Sequence, residues 1–191
     1  MNITLLRHGQ TDYNKSKLIQ GHKDNPLNDE GRRQALCAGN YFKEHNISFD
    51  LIIATPLNRA LETAKIVANA INYNNEIIIE KDFIERDFGK YEGLSVPEWV
   101  EIITKDDFYD DNYETNVEIK KRVYNAFLEL ENKYSNYENI LIACHSHTIK
   151  ALLSSIDNQY NFQTYLNNAS IHQFSLNNQV GKIVKFNIAV V

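Results

Sequence analysis

Two short apolar runs that each end in histidine constrain this chain more than any other feature. Ile3-Thr4-Leu5-Leu6 runs into Arg7-His8-Gly9, and Ile140-Leu141-Ile142-Ala143 runs into Cys144-His145. Uninterrupted apolar or β-branched runs of this length read as strands buried on both faces. Phe49–Ala54 and Ile77–Ile79 add two more, Ser170–Leu176 and Lys182–Ile188 close the chain as a pair, and helical patterns separate the earlier four. Alternation of this kind calls for an α/β fold, a three-layer α/β/α sandwich around a mostly parallel sheet with an antiparallel edge. Ligands bind at the C-terminal ends of strands in such sheets, so Arg7, His8 and His145 are expected at one edge.

The helices have their own signals. Asn28 is an N-cap for a helix to about residue 45, with Leu27, Ala35, Leu36, Gly39 and Phe42 turned inward. Thr55-Pro56 reads as N-cap and first helical position of a helix to about Asn72, which puts Arg59 in its first turn. Ser95-Val96-Pro97-Glu98 and Thr115-Asn116-Val117-Glu118 have the form of capping boxes. After the second, Ile119, Val123, Phe127, Leu130 and Tyr134 recur at spacings of three and four, the mark of a face packed on a sheet. Residues 10–28 read as a long loop beside the site.

Length and charge limit the function. A chain of 191 residues fits one domain, 1–191, with a small lid-like insertion at about 94–114. Net charge is -5, with no basic patch, so neither nucleic acid nor an anionic membrane is an expected partner. The first residues lack a basic segment followed by a long apolar one, and no apolar run is long enough to span a membrane. Cys37 and Cys144, far apart and without metal-ligand spacing, fit two reduced thiols in a cytoplasmic protein. No metal or cofactor is expected, and the sequence leaves the oligomeric state open. Residues 98–114 hold seven acidic side chains against one Lys105, which reads as a solvated face. Trp99, Phe108, Tyr109 and Tyr113 lie in the same segment. A lid made from it would be aromatic and negative, favouring ligands with a neutral or cationic apolar portion.

Convergence of Arg7, His8, Arg59 and His145 at one sheet edge suits a phosphoryl group. Two guanidiniums supply planar forks of donors and a double positive charge. Those cations depress a nearby histidine's pKa and keep the ring available as a nucleophile. A second histidine can donate to the same oxygens, and a carboxylic acid can protonate the leaving alcohol.

At this level of detail the chain resembles the histidine phosphatase superfamily, in the branch similar to cofactor-dependent phosphoglycerate mutases and their phosphatase relatives. Arg7-His8-Gly9-Gln10-Thr11 with Asn14 matches its Arg-His-Gly-x-Thr-x-x-Asn signature. Gln20-Gly21, Asp24, Pro26-Leu27, Gly31, Gln34-Ala35, Thr55-Pro56-Leu57-Asn58-Arg59-Ala60, Thr63-Ala64, Glu85, Phe88-Gly89, Glu92-Gly93, Glu114, Arg122, His145 and Asn168-Ala169-Ser170-Ile171 follow at family spacing. The resemblance implies a phosphatase acting on a small-molecule phosphate ester, with His8 as the phosphorylated nucleophile. Arg7, Arg59 and His145 would hold the phosphoryl group, assisted by Asn14, Gln20, the backbone near Gly21 and the N–H of Ser146. Ser146 stands where the family usually has glycine. Glu85 would be the general acid and then the base, with Asp87 its rival on the same turn. Asn168 would support the site.

Other readings are weaker. A mutase would carry a longer segment than the sixty positions between Glu85 and His145, with basic residues rather than acidic ones. A cysteine phosphatase at Cys144 would need Arg at position 150, which is Lys. A non-catalytic phospholigand-binding module would have lost the nucleophile or the acid. His145 with His147 lacks a third metal ligand, so His147 is expected at the surface; His22, His45 and His172 are read as surface or structural.

Overall fold

The computed structural model describes residues 1–190. In chain order the elements are β1 (Asn2–Arg7), α1 (Asp12–Lys15), α2 (Asp29–Glu44), β2 (Leu51–Ala54), α3 (Asn58–Ala70), β3 (Ile78–Ile79), α4 (Val96–Ile103), α5 (Asn116–Lys133), β4 (Asn139–Cys144), α6 (Ser146–Ile156), β5 (Ile171–Asn177) and β6 (Val180–Ile188). All six strands join one sheet in the order β3-β2-β4-β1-β5-β6. Pairing is parallel from β3 through β1 and antiparallel for β1 with β5 and β5 with β6. The mostly parallel sheet with an antiparallel edge is therefore as the sequence indicates.

Strand alternation sorts the core into two layers. Ile3 and Leu5 of β1, Leu51 and Ile53 of β2, and Ile140 and Ile142 of β4 pack with α5 and α6. Leu6, Ile52, Ala54, Leu141 and Ala143 face the other way, onto Ala38 and Phe42 of α2 and Ala64 and Val67 of α3. Phe127 on one side and Phe42 on the other are fully buried, each stabilising the fold by roughly 1.5–3 kcal/mol. A third cluster lies outside the sheet, where Ile19, Phe88, Tyr91, Ile103 and Tyr113 bury one another beside α4.

Register carries the fold to the site. Arg7 is the parallel partner of Cys144, so His8 and His145, each one residue further on, leave adjacent strands side by side.

Local signals fared unevenly. Thr115 and Glu118 form the expected capping box, and Asn28 caps α2 by accepting from Gly31 N. Ser95 makes no side-chain cap bond. α3 begins at Asn58, not Pro56, because the Thr55 hydroxyl is engaged elsewhere. Leu36 is 47% exposed and Ala38 takes the inner position. The loop after β1 contains the short helix α1, capped reciprocally by Thr11 and Asn14.

Candidate active site

His8 is the centre of the site and is 2% exposed. Its Nδ1 lies 2.7 Å from the Gly9 carbonyl oxygen, which can only accept, so Nδ1 carries the proton. Nε2 is then the nitrogen with a free lone pair. Burial first, then the charges of Arg59 and Arg7, hold the ring pKa well below the ordinary histidine value. His8 is thus neutral at physiological pH.

Gly9 serves close backbone packing. A Cβ on Gly9 would stand 2.2 Å from the Gly31 carbonyl oxygen, and one on Gly31 would stand 2.1 Å from that of Gln10. The two glycines let the turn after β1 lie directly on the start of α2. Gly9 N donates to Thr63 Oγ1, and that hydroxyl donates to the Arg59 carbonyl.

His145 is fully buried, its ring centroid 5.3 Å from that of His8. Thr55 Oγ1 lies 2.7 Å from His145 Nε2, while Nδ1 is buried without a partner. Burial, Arg59 and His8 push its pKa well down. Arg59 is also fully buried and donates to the carbonyls of Gly21 at 2.7 Å and Lys23 at 2.8 Å, leaving Nε unpartnered. Arg7 donates to the Leu166 carbonyl at 2.6 Å and likewise has a buried Nε with no partner. Buried polar atoms are normally satisfied. Arg7 Nε, Arg59 Nε and His145 Nδ1 are thus free donors near His8, and Arg86 Nε and His147 Nδ1 are equally unpartnered.

Arg7, His8, Asn14, Gln20, Glu85 and Ser146 line one end of a cavity of about 400 Å³. Arg59 and His145 do not line it. Gly21 is not on its wall either, and its carbonyl is spent on Arg59. Asn14 Oδ1 accepts from Thr11 and from Asn168 Nδ2, and Asn168 also reaches the His8 carbonyl. Gln20 Oε1 accepts from Thr11 and Asn25.

Glu85 is 4% exposed, and its carboxylate accepts from the backbone N–H of Arg86 at 2.9 Å and of His147 at 3.0 Å. His22 donates through Nε2 to the Glu85 carbonyl. Arg122 pairs with Glu114 through two nitrogens and donates to the carbonyls of Asp82 and Ile84, fixing the same turn. Asp87 turns outward, accepts from Gly89 N and does not line the cavity. Of the two, Glu85 and not Asp87 lies on the cavity wall.

Several side chains here escape the sequence reading. His147 is buried, not at the surface, its ring edge-on to Phe88 and stacked on Phe162 at 5.3 Å. Arg86 is fully buried, bonded to Tyr113 and Asn116 Oδ1, and its guanidinium lies 4.1 Å over the Phe162 ring. Lys150 lines the cavity and donates to the Phe162 carbonyl at 2.8 Å. The three-residue spacing of His147 and Lys150 on α6 was the available signal. Cys144 is buried in the core, which pushes its thiol pKa up, and it is not bonded to Cys37. Among the described residues, no group of three or more His, Cys, Asp or Glu side chains is placed to hold a metal, and no helix is long and apolar enough to cross a membrane.

An α/β sandwich with a neutral histidine, buried arginines and a carboxyl at the C-terminal edge of its sheet has the architecture of a phosphoryl-handling hydrolase. The chain belongs to the histidine phosphatase superfamily (branch 1), whose family model matches residues 3–189. Curated relatives include the uncharacterized phosphatase PhoE of Bacillus subtilis, 37% identical over 81% of this chain and 76% of that protein. A 2,3-bisphosphoglycerate-dependent phosphoglycerate mutase of Parvibaculum lavamentivorans is 29% identical over 81% of this chain and 79% of its own. Among solved structures, a phosphoserine phosphatase of Entamoeba histolytica in complex with 3-phosphoglyceric acid aligns with a TM-score of 0.83 at 25% identity, covering 98% of this chain and 96% of that one. By family the protein is a phosphatase, a hydrolase.

Proposed function

We propose that the protein hydrolyses a small-molecule phosphate monoester through a phosphohistidine formed on His8. The observation that carries this is the His8 ring itself, whose Nδ1 proton is committed to the Gly9 carbonyl and whose Nε2 is left unprotonated among buried cations. Nε2 attacks phosphorus, and a P–N bond forms as the P–O bond to the leaving group breaks. Arg7 and Arg59 balance the charge on the phosphoryl oxygens, the task that Mg²⁺ performs in other phosphoryl-transfer enzymes, and the neutral His145 ring adds a donor at Nδ1. Asn14, Gln20 and the Ser146 N–H supply further donors, and Asn168 steadies Asn14 and the His8 backbone. Gly21 contributes by anchoring Arg59.

Glu85, as the carboxylic acid, gives its proton to the leaving oxygen. As the carboxylate it then takes a proton from the water that attacks the phosphohistidine, releasing phosphate and restoring Nε2. Its fixed backbone donors favour this oxygen arrangement in both steps. The free thiols of Cys37 and Cys144 support a cytoplasmic setting.

The test is phosphate release from p-nitrophenyl phosphate by the wild type and by His8→Ala, with and without chelator. Release that persists in EDTA and falls by about 10⁴-fold or more in His8→Ala is expected, an estimate from single losses in catalytic groups that act together. Activity retained in the variant would overturn the assignment.

A further inference from the structure

Arg59 is held by a loop, and that loop is held in turn by two carboxylates that the mechanism does not use. Arg59 donates to the carbonyls of Gly21 and Lys23. From the other side, Glu92 accepts from the backbone N–H of His22 at 2.6 Å and of Lys23 at 2.9 Å. Asp24 accepts from Asn58 N at 2.6 Å and from Asn58 Nδ2 at 2.7 Å. It thereby caps α3, whose own N-cap residue Leu57 makes no side-chain bond. The Gly21 C=O and the His22 N–H belong to one planar peptide group and point in opposite directions. A single peptide therefore lies between the Arg59 guanidinium and the Glu92 carboxylate.

Two further observations show that this contact is built into the fold. A Cβ on Gly21 would stand 2.3 Å from Glu92 Oε1 and 2.8 Å from the Arg86 carbonyl oxygen. Only glycine lets the carboxylate reach the two N–H groups. Glu92 also follows the turn Gly89–Tyr91 directly, and Tyr91 is buried in the cluster with Phe88, Ile103 and Tyr113. The Tyr91 hydroxyl donates to Asp110, and Gly93 N donates to the Ile19 carbonyl. Trp99, Phe108, Tyr109 and Tyr113, expected from the sequence to form an aromatic lid, do not line the cavity. Trp99, Phe108 and Tyr113 pack in the Tyr91 cluster, where they are the footing of the Glu92 turn.

We propose that Glu92 is a positioning residue for phosphoryl transfer, fixing the loop carbonyls that aim Arg59 at the phosphoryl group. This rests on the reading of Arg59 as a cation that holds that group. Glu92 does not line the cavity and acts only through the peptide it grips. Hydrogen bonds to the two ends of one peptide polarise it and strengthen each other, so the carboxylate makes the Gly21 carbonyl a better acceptor for Arg59. Burial lowers the Arg59 pKa, and the charges of Glu85, Asp24 and Glu92 oppose that. Glu92 thus supports both the direction and the charge of the guanidinium. The same loop reaches the acid, because His22 Nε2 donates to the Glu85 carbonyl.

A binding cycle with inorganic phosphate tests this without turnover. Phosphate is titrated by calorimetry into the wild type, Glu92→Ala, Arg59→Met and the double variant, each checked for folding by circular dichroism. Glu92→Ala is expected to weaken phosphate by about tenfold or more with Arg59 present, and by no more than about twofold once residue 59 is Met, since the loop then has nothing to aim. Glu92→Gln keeps the volume and one acceptor, and it runs the same cycle should the alanine variant not fold. Its loss is expected at about threefold to fivefold with Arg59 present and to vanish with Met. A purely structural anchor would weaken phosphate equally in both backgrounds. That result, or unchanged affinity in both Glu92 variants, would overturn the proposal. Wild-type phosphate affinity in Arg59→Met would remove Arg59 from the phosphoryl site and this positioning role with it. Hydrolysis surviving in His8→Ala would overturn the nucleophile and leave the binding cycle standing.

Discussion

Replacing Arg59 by Met separates what this residue does for the fold from what it does for the chemistry. The guanidinium is fully buried, donates to two loop carbonyls, and has no ion pair among the described residues. Burial outweighs the attraction of Glu85, Asp24 and Glu92 and brings its pKa down to about 10 from 12.5, so it remains charged at pH 7. That depression corresponds to a cost of roughly 3 kcal/mol for keeping the charge in the folded protein. Against it stand two charge-assisted hydrogen bonds, together about 3–6 kcal/mol. Met removes both terms and keeps most of the volume. Net destabilisation should therefore stay below about 3 kcal/mol, the difference between those two ranges.

The chemistry has no such compensation. Loss of one preorganised charge at a developing oxyanion costs about 10²–10³ in rate. Thermal melts with and without inorganic phosphate, combined with kcat/KM on p-nitrophenyl phosphate, read both effects. Phosphate at ten times its Kd should stabilise the wild type by about 1.4 kcal/mol through mass action and the variant by far less. The acid limb of the pH–rate profile should also move upward, because Arg59 is one of the charges holding the His8 pKa down. A variant within tenfold of wild-type activity, or stabilised equally by phosphate, would refute the role given to Arg59.

Glu85→Gln should fold, since an amide oxygen can still accept from Arg86 and His147 N–H. Its kcat on an alkyl phosphate should fall by about 10²–10⁴, with a smaller loss on p-nitrophenyl phosphate, whose leaving group needs no proton; equal losses would argue against proton donation. Gly31→Ala gains about 1 kcal/mol of helix propensity, yet its Cβ would meet the Gln10 carbonyl oxygen at 2.1 Å. A Tm below that of the wild type is expected, and an unchanged or higher one would show that the close approach is not needed. Acid should destabilise the protein through its buried neutral histidines. The His172 pKa is lowered to about 3, and those of His8 and His145 lie well below 6.5. A folded-state pKa below the unfolded one means that the unfolded chain binds the extra proton. Stability is then full above about pH 6.5 and is lost as pH falls, by up to about 1.4 kcal/mol per pH unit for each such group. Denaturant midpoints flat from pH 7 to pH 5 would contradict this.

Much of the candidate site was legible because Arg7, His8 and His145 sit at the ends of strongly apolar strands. Arg7, His8, His145, Arg59 and Glu85 needed only the strand pattern and the family signature. Legibility failed where one side chain has competing partners. Thr55 has every local feature of an N-cap, but its hydroxyl serves His145 across the sheet edge, and α3 starts later. Ser95 has the form of a capping box without the bond. His147, polar and flanked by polar residues, reads as surface and is buried because Phe88 and Phe162 close over it from distant parts of the chain. Gly9 follows the strand-end histidine, and only the fold shows that its close neighbour is the backbone of Gly31.

The sequence by itself determined the layered α/β architecture, the strand ends that carry Arg7, His8 and His145, and the family. Periodicity and strand termination are local properties, written in consecutive residues. Tertiary structure alone decided which tautomer His8 adopts, which of Glu85 and Asp87 faces the cavity, that Arg59 is fully buried, and that His147 and Lys150 line the cavity. These depend on atoms brought together from separated segments, where packing and desolvation, not local propensity, select the partner.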